Sequence, residues 1–236
     1  MPNKFKNAVV TPLLKKAGLD ADNPSNFRLI SNVTLTSKIL ERLVWSCLDV
    51  HLNRTATIPS VQSAYRRNHS TETVLAKVSS HIIMAANRRE VSLLALLDLR
   101  ADFDTVNHGI LLQRLHTCHH INCLALDWFR RYITGRHKSV QYGGDTISAA
   151  LVEYGISQGS MLGPLLFVLY TSDVPRIINK CWLLSIVYAD DTQIYIQVKQ
   201  RDMPVAKVRV EYCISKVIQW LASNRLRLNP SKTEAM

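Results

Sequence analysis

Apolar residues recur at intervals of three and four along much of the chain, which is the spacing that places them on one face of a helix. These intervals predict helices at residues 37–54, 71–87, 110–115, 124–133 and 204–223. A short helix is also predicted at 163–170, because Pro164 favours a first helical turn. Ser70 or Thr71 would cap the second of these helices.

Other segments carry the patterns of strands. Residues 91–99 form a nearly continuous apolar run, which favours a strand buried on both faces. Alternating residues and flanking turns predict further strands at 138–142, 146–152, 182–188, 193–198 and 226–228. Residues 1–36 are mixed and turn-rich. The expected fold class is therefore α+β, with helices on at least one face of the sheet.

Composition places the 236-residue chain among globular proteins, with 47% hydrophobic and 20% charged residues. Its apolar stretches are about ten residues or shorter, which is too short for a membrane span. The N-terminal residues lack the apolar core of a signal peptide. The five cysteines contain no CxxC pair, which favours free thiols in a reducing compartment.

The net charge narrows the class of partner. Lys and Arg number 29 against 18 Asp and Glu, which gives a net charge of +11 with neutral histidines. A field of this sign favours a polyanion, with nucleic acid first and an anionic membrane surface second. A solvated basic surface without a partner is the alternative.

Two places combine acidic residues with predicted strands. Asp98 ends the run LLALLD, and Asp190 and Asp191 occupy the turn between two later strands. A carboxylate at the end of a buried strand is unfavourable unless it is neutralised, and Mg²⁺ binds carboxylates together with water and phosphate oxygens. Two such ions, about 3.5–4 Å apart, can polarise an attacking hydroxyl and stabilise a leaving pyrophosphate oxygen.

Ordinary structural roles compete with this hypothesis. Asp190 and Asp191 also suit a turn, where aspartate bonds its own backbone, and Asp98 also suits the cap of a strand end. Because 92 residues separate Asp98 from Asp190, spacing alone does not pair the two places. The His and Cys residues of 116–123 raise the alternative of a zinc site, but their spacing fits no standard zinc finger.

Nine segments of the chain, taken together and in order, resemble the reverse transcriptase domain of LINE-type (non-LTR, jockey-like) retrotransposons. They are VTPLLKKAGLD, NFRLIS, SKILERLV, QSAYRRNHSTET, LLALLDLRADFDTVNH, LDWFRRYITGR, SQGSMLGPLLF, YADDTQIY and NRLRLNPSKTE. The YADD segment is weak by itself, and the specificity of the resemblance comes from all nine segments in register across almost the whole chain.

The resemblance implies a right-hand polymerase fold, with fingers, a palm made of an antiparallel sheet backed by helices, and no thumb. Residues 1–90 would be mainly fingers and 91–236 mainly palm, with a fingers-proximal helical insertion near 108–135. Since the chain starts within the fingers and stops just past a palm lysine, we expect one reverse transcriptase domain truncated at both ends.

The resemblance also implies a metal site. By position, Asp98, Asp190 and Asp191 look like the metal-binding acids of the family, and the carbonyl of Leu99 would complete one metal site. Lys232 resembles the palm lysine proposed to protonate pyrophosphate. The implied cofactor is a pair of Mg²⁺ ions, with Mn²⁺ as a substitute.

Further positions match the nucleotide-binding residues of the family. Lys16 and Arg28 resemble the cations that grip the triphosphate, and Phe103 resembles the bulky gate that rejects a ribose 2′-OH. Taken singly, each cation also suits a surface charge, and Phe103 also suits a core aromatic. The remaining implied positions, through backbone amides or contact with nucleotide and template, are Arg100, Ala101, Asp102, Gln158 and Gly159.

The chain departs from the family pattern at several of these segments. Relatives usually have proline where this chain has Leu29, which loosens the expected fingers backbone. They often have alanine at the position of Asp102, where an extra acid would repel the triphosphate. Ser157 replaces a proline and Asn107 replaces an aspartate.

The function that the resemblance implies is RNA-directed DNA polymerisation, with an RNA template, a DNA primer and deoxynucleoside triphosphates as partners and no membrane. Action inside the cell, in the nucleus, follows from the family. Two alternatives stay open: a catalytically silent truncated remnant that at most binds nucleic acid, and an unrelated metal-dependent hydrolase that uses the same acids. The sequence leaves the oligomeric state open.

Overall fold

The computed structural model describes residues 2, 5–99 and 102–236, with the backbone alone at Ser25 and Asp102. It consists of two units, each assembled from two separate stretches of chain. The first unit comprises Met1–Thr57 and Phe103–Leu166, and the second comprises Ile58–Asp102 and Phe167–Met236. The division of a polymerase hand at residue 90 stays a prediction.

The described residues form the following elements in chain order. The strands are β1 (Asn7–Leu14), β2 (Phe27–Val33), β3 (Val91–Leu97), β4 (Arg136–Tyr142), β5 (Asp145–Val152), β6 (Leu184–Tyr188), β7 (Asp191–Val198) and β8 (Glu234–Ala235). The α-helices are α1 (Leu35–Thr55), α2 (Thr71–Asn87), α3 (Asp102–Thr105), α4 (His108–Thr117), α5 (Cys123–Ile133), α6 (Gly163–Tyr170), α7 (Val174–Lys180) and α8 (Met203–Ser223). None of the helices in this described part of the chain is both long enough and apolar enough to cross a membrane.

The helices follow the apolar periodicity closely. The helix predicted at 71–87 is α2, and Ser70 caps it with a capping box in which its side chain accepts from the Thr73 backbone while Thr73 Oγ1 accepts from the Ser70 backbone. The Thr34 side chain caps α1 and the Asn107 side chain caps α4. Local pattern and local capping agree at these helices, which is why the sequence predicts them well.

The first unit contains a sheet of order β2-β1-β4-β5, in which β1 and β4 are parallel and the other neighbours are antiparallel. The strands predicted at 138–142 and 146–152 are confirmed as β4 and β5, which form a hairpin. The prediction that residues 1–36 are mixed and turn-rich holds for residues 15–26, but it missed the strands β1 and β2 on either side. On β2 the apolar Leu29 is 45% exposed while the polar Ser31 is 3% exposed, so burial opposes the hydrophobic pattern.

The second unit is built on a fully antiparallel sheet of order β6-β7-β3-β8. One face carries α2, whose Val74 packs with Ile186 and Tyr195, and the other carries α8. Helices therefore cover both faces of the central strands. The largest fully buried side chains of this unit are Phe167, Leu169, Tyr170, Ile178, Ile186, Ile194 and Leu221.

Two strand predictions need correction. β3 stops at Leu97, and Ala95 and Leu97 are its buried residues, because its neighbour β8 is only two residues long and leaves that side of the strand partly open. The strand predicted at 226–228 is reduced to a single bridge between Leu99 and Leu228. The last strand is instead β8, six residues later in the chain.

Candidate active site

Three carboxylates of the second unit converge at one end of its sheet. Asp98 follows the last residue of β3, Asp190 lies in the turn between β6 and β7, and Asp191 is the first residue of β7. The antiparallel register sets Leu97 opposite Thr192, so the end of β3 meets the start of β7. One oxygen from each of the three acids lies within 4.8 Å of the others. The fold thus brings Asp98 together with Asp190 and Asp191, which their spacing in the sequence alone did not show.

The turn that contains Pro230 packs against Asp98. Asn229 Nδ2 donates to Asp98 Oδ2 at 2.8 Å, and the Asn229 backbone N–H donates to the Asp98 carbonyl at 2.9 Å. Lys232 Nζ lies 3.5 Å from the same Oδ2, so the predicted lysine is beside the first acid. Our sequence predictions missed Asn229, although it lies in the quoted segment NPSKTE. Nothing in that segment indicates that its amide reaches a residue 131 positions earlier.

Electrostatics at this cluster favour a bound cation. Burial raises the pKa of the Asp191 carboxyl. The negative charges of Asp190 and then of Asp98 raise this pKa further, whereas the positive charge of Lys232 lowers it. Burial also raises the pKa of the Tyr65 phenol, with a further contribution from Asp190. Acids that repel one another in this way are stabilised by a positive ion placed among them.

The donor set fits a hard divalent cation. All three side chains offer carboxylate oxygens, which Mg²⁺ and Mn²⁺ prefer, and none offers the sulfur or imidazole nitrogen typical of structural zinc. An open cleft of about 290 Å³ lies against Asp98, Asp191 and Lys232. Among the residues that the structure describes, this is the one group of three or more His, Cys, Asp or Glu side chains close enough to share an ion, so the zinc alternative at 116–123 gains no support.

The first unit contains several of the predicted nucleotide-binding residues. The Ser31 backbone N–H donates to the Gln158 carbonyl at 2.7 Å, which ties this segment to the end of β2. Gly159 has φ +106°, and a Cβ there would lie 2.6 Å from the Ser31 carbonyl oxygen. Only glycine allows both the backbone conformation and this close approach.

Phe103 lies next to the same segment. The Ile156 backbone N–H donates to the Phe103 carbonyl at 2.6 Å, and Gln158 Nε2 donates to Asp104 Oδ2 at 3.3 Å. Gly155 has φ +86°, and a Cβ there would be 2.9 Å from the Phe103 carbonyl oxygen. The structure therefore brings Phe103, Gln158 and Gly159 into one neighbourhood of the first unit.

The remaining predicted residues are more scattered. Lys16 is exposed just after β1, and Arg28 is exposed on β2 opposite Leu13. Leu99 follows Asp98 and forms the bridge with Leu228. Arg100 and Ala101 lie outside the described residues, and Asp102 is described only as the backbone that begins α3.

Comparisons with known proteins identify the family. Residues 14–236 match the family described as "Reverse transcriptase (RNA-dependent DNA polymerase)". The chain therefore belongs to the reverse transcriptase family. It is 25% identical over 98% of its length to the probable RNA-directed DNA polymerase from transposon BS of Drosophila melanogaster, and 26% identical over 98% to the RNA-directed DNA polymerase from mobile element jockey of the same organism. These matches cover 26% and 25% of those relatives, so the chain spans about a quarter of their length.

Solved structures agree on the fold. The chain superposes over its full length on 43% of telomerase from Candida albicans in complex with a TWJ fragment of telomeric RNA, with a TM-score of 0.68 and 15% identity. Apo telomerase from Candida tropicalis truncated from its C-terminal domain gives the same TM-score and identity over 99% of this chain and 50% of that one. The predicted fold class, an α+β polymerase fold with an antiparallel palm sheet backed by helices, is confirmed.

Proposed function

We propose that this chain adds deoxynucleotides to the 3′-OH of a DNA primer under the direction of an RNA template. The observation that carries the proposal is the convergence of Asp98, Asp190 and Asp191 within 4.8 Å in a member of the reverse transcriptase family. The net charge of +11 supports polyanionic partners. Action in the nucleus, as the resemblance implies, belongs to the same proposal.

The cofactor that we propose is a pair of Mg²⁺ ions, for which Mn²⁺ can substitute. Asp98, Asp190 and Asp191 would hold them, with the Leu99 carbonyl as a further oxygen ligand. When bound, such ions polarise the attacking hydroxyl and stabilise the charge on the leaving pyrophosphate. The protein itself supplies a fixed, partly buried set of acids at the end of a paired sheet.

Two side chains next to Asp98 have separate tasks in this proposal. Asn229 donates to Oδ2 and so fixes the orientation of the carboxylate. Lys232 keeps its ammonium 3.5 Å from that oxygen while its side chain is 69% exposed. A lysine ammonium that is held by a carboxylate and is also accessible can give a proton to the departing pyrophosphate.

The residues that match nucleotide-binding positions of the family would supply nucleotide recognition. Lys16 and Arg28 carry fixed positive charge for the triphosphate, and the amides of residues 100–102 would donate to its oxygens. Phe103 would exclude the ribose 2′-OH. The Gln158-Gly159 segment, fixed by Ser31, would contact the nucleotide and the template.

Primer extension on an RNA template, with purified chain, Mg²⁺ and deoxynucleotides, tests the proposal. We expect incorporation that the double substitution Asp190→Ala, Asp191→Ala abolishes. Glu211→Gln is the matched control, because it removes an exposed acid of the same unit, on α8, and should leave incorporation unchanged. Replacing deoxynucleotides by ribonucleotides should lower incorporation, and Phe103→Ala should restore part of it.

Three other outcomes would contradict the proposal. Salt-sensitive RNA binding by the folded chain without any incorporation would support a catalytically silent protein that binds nucleic acid. Incorporation that survives the double substitution would show that a contaminating polymerase is responsible. Cleavage of phosphodiesters that Asp190→Ala abolishes would support a hydrolase.

A further inference from the structure

A segment just before α2 extends the sheet of the second unit at its β6 edge. The Val187 backbone N–H donates to the Val61 carbonyl at 3.0 Å, and the Ser63 N–H donates to the Val187 carbonyl at 2.9 Å. Gln62 thereby forms a parallel bridge with Val187. The backbone contact ends there, two residues before the turn that contains Asp190.

The side chain of Gln62 continues this contact to the turn. Its Oε1 accepts from the Ala189 N–H at 3.1 Å and from the Ala64 N–H at 2.9 Å. Its Nε2 lies 3.4 Å from the Ala189 carbonyl oxygen, to which it donates. The side-chain amide thus bonds both polar groups of Ala189, as a neighbouring strand would. Gln62 is 3% exposed, so water does not compete for these bonds.

Ala189 needs such support because of its backbone conformation. Its φ is +57°, in the left-handed region, where the Cβ of a residue other than glycine is strained. The β6–β7 register pairs Tyr188 with Asp191, so Ala189 and Asp190 are the two residues of the turn. Any rotation at Ala189 would therefore move the carboxylate of Asp190 away from Asp98 and Asp191.

We infer that Gln62 is a positioning residue of the acidic cluster. Its side chain holds the backbone of Ala189 in the left-handed conformation and so keeps Asp190 in place for a divalent cation. The inference rests on the proposed function in that a cation binds these acids. It assigns a specific task to the QSAYRRN segment, which lies more than 120 residues before Asp190 in the chain. The geometry requires one acceptor and one donor on the same planar group, and among uncharged side chains of this length glutamine provides both.

The test compares Gln62→Met with Arg66→Met in the full chain. Methionine has a similar shape but bonds neither group of Ala189, and Gln62→Asn, which is one methylene shorter, should fail to reach the turn as well. Arg66→Met is the matched control, because Arg66 donates to the Pro59 and Gln62 carbonyls in the same segment and not to the turn. The measurements are Mn²⁺ binding by electron paramagnetic resonance, hydrogen exchange of the Ala189 amide, and thermal unfolding.

We expect Gln62→Met and Gln62→Asn to raise the Kd for Mn²⁺ about tenfold, which is typical when a residue behind a metal ligand is lost. The Ala189 amide should exchange at least about tenfold faster, because its acceptor is lost. Arg66→Met should leave both quantities within twofold of the unaltered chain, even if it lowers the melting temperature equally.

The outcomes separate this inference from the proposed function. If the unaltered chain binds Mn²⁺ and Asp190→Ala abolishes binding, but Gln62→Met leaves the Kd unchanged, the positioning role of Gln62 is refuted and the metal site stands. Equal weakening by Arg66→Met would also refute it, since the effect would then be one of general stability. If the unaltered chain binds no Mn²⁺, or Asp190→Ala does not weaken binding, the metal site itself fails and the inference fails with it.

Discussion

The acidic cluster of the second unit and the Gln158-Gly159 segment of the first are organised in different ways. Asp98, Asp190 and Asp191 sit at the ends of paired strands, with Asn229 donating to one of them. The Gln158-Gly159 segment is a loop, fixed by backbone bonds to β2 and by a glycine that no other residue can replace. One region orients charged side chains, whereas the other shapes the backbone.

A buried carboxylate completes the support of that loop. Glu41 on α1 is fully buried, and it accepts from the Met161 backbone N–H at 2.6 Å and from Ser37 Oγ at 3.1 Å. Burial, and after it the nearby Glu41, raise the pKa of the Tyr132 phenol. In the first unit a charged residue therefore stabilises structure, while in the second the acids remain open to a ligand. Burial and partners, and not residue type, therefore separate an acid that holds the fold together from acids that a ligand can reach.

The sharpest expected contrast between the units concerns their cysteines. Burial raises the pKa of the Cys213 thiol to about 12, and Cys181 beside it contributes, whereas Cys47 in the first unit is exposed. At pH 8 we expect Cys213 to react with iodoacetamide at least about a hundredfold more slowly than Cys47, because the thiolate is the nucleophile, burial raises the pKa of Cys213, and the reagent reaches Cys213 only when the packing opens. Mass spectrometry of timed samples measures both rates. Similar rates in the native chain would show that the α7–α8 packing is not formed.

The next largest effect is expected at the acidic cluster. Asp98→Ala should lower incorporation about a hundredfold or more, since loss of one preorganised electrostatic contact in an active site commonly costs this much. Single-turnover primer extension with saturating template measures it. Asp145→Ala, on exposed β5 of the first unit, is the control and should have no effect. If Asp98→Ala and Asp145→Ala lowered incorporation equally, the acids of the second unit would have no special role in the reaction.

Glu41→Ala should act on stability instead. The substitution leaves the Met161 N–H without its acceptor, and we expect a loss of about 2–3 kcal/mol in the free energy of unfolding of the first unit. Urea unfolding, followed by hydrogen exchange of backbone amides in each of the two units, assigns the loss to a unit. Glu72→Ala, an exposed acid in the first turn of α2, is the control. A fall in Mn²⁺ affinity without loss of stability would contradict the structural role of Glu41.

The smallest effect is expected at the exposed cations. Arg28→Ala should raise the KM for deoxynucleotides about threefold to tenfold and leave kcat nearly unchanged, since a phosphate contact present throughout the reaction contributes uniform binding. Steady-state primer extension at several nucleotide concentrations separates the two constants. Arg54→Ala, at the end of α1, should change neither. A large fall in kcat would place Arg28 among the residues that act in the transition state.

Sequence predicted the elements whose local pattern decides their structure. The α2 helix was predicted to the residue, because its apolar face and its cap are both local. The β2 strand was missed because Ser31 is buried and Leu29 is exposed. The three acids were found, but the register of β3 and β7 was needed to bring them together.

The supporting residues escaped prediction for a different reason. Glu41, Gln62 and Asn229 bond partners 120, 127 and 131 positions away. A single polar side chain carries no local periodicity, so nothing in its own segment tells a solvated amide or carboxylate from a buried one. The contact becomes visible only once the fold has placed the two segments side by side.

The order of the second sheet has a consequence for synthesis of the chain. The central strand β3 ends at Leu97, but its long neighbour β7 is complete only at Val198, 101 residues later. At ribosomal speeds of about 5–20 residues per second, the run VSLLALL waits roughly 5–20 s without that neighbour. The nascent chain therefore carries an unpaired apolar strand while about a hundred further residues are added, which makes it a natural substrate for chaperones that bind extended apolar segments.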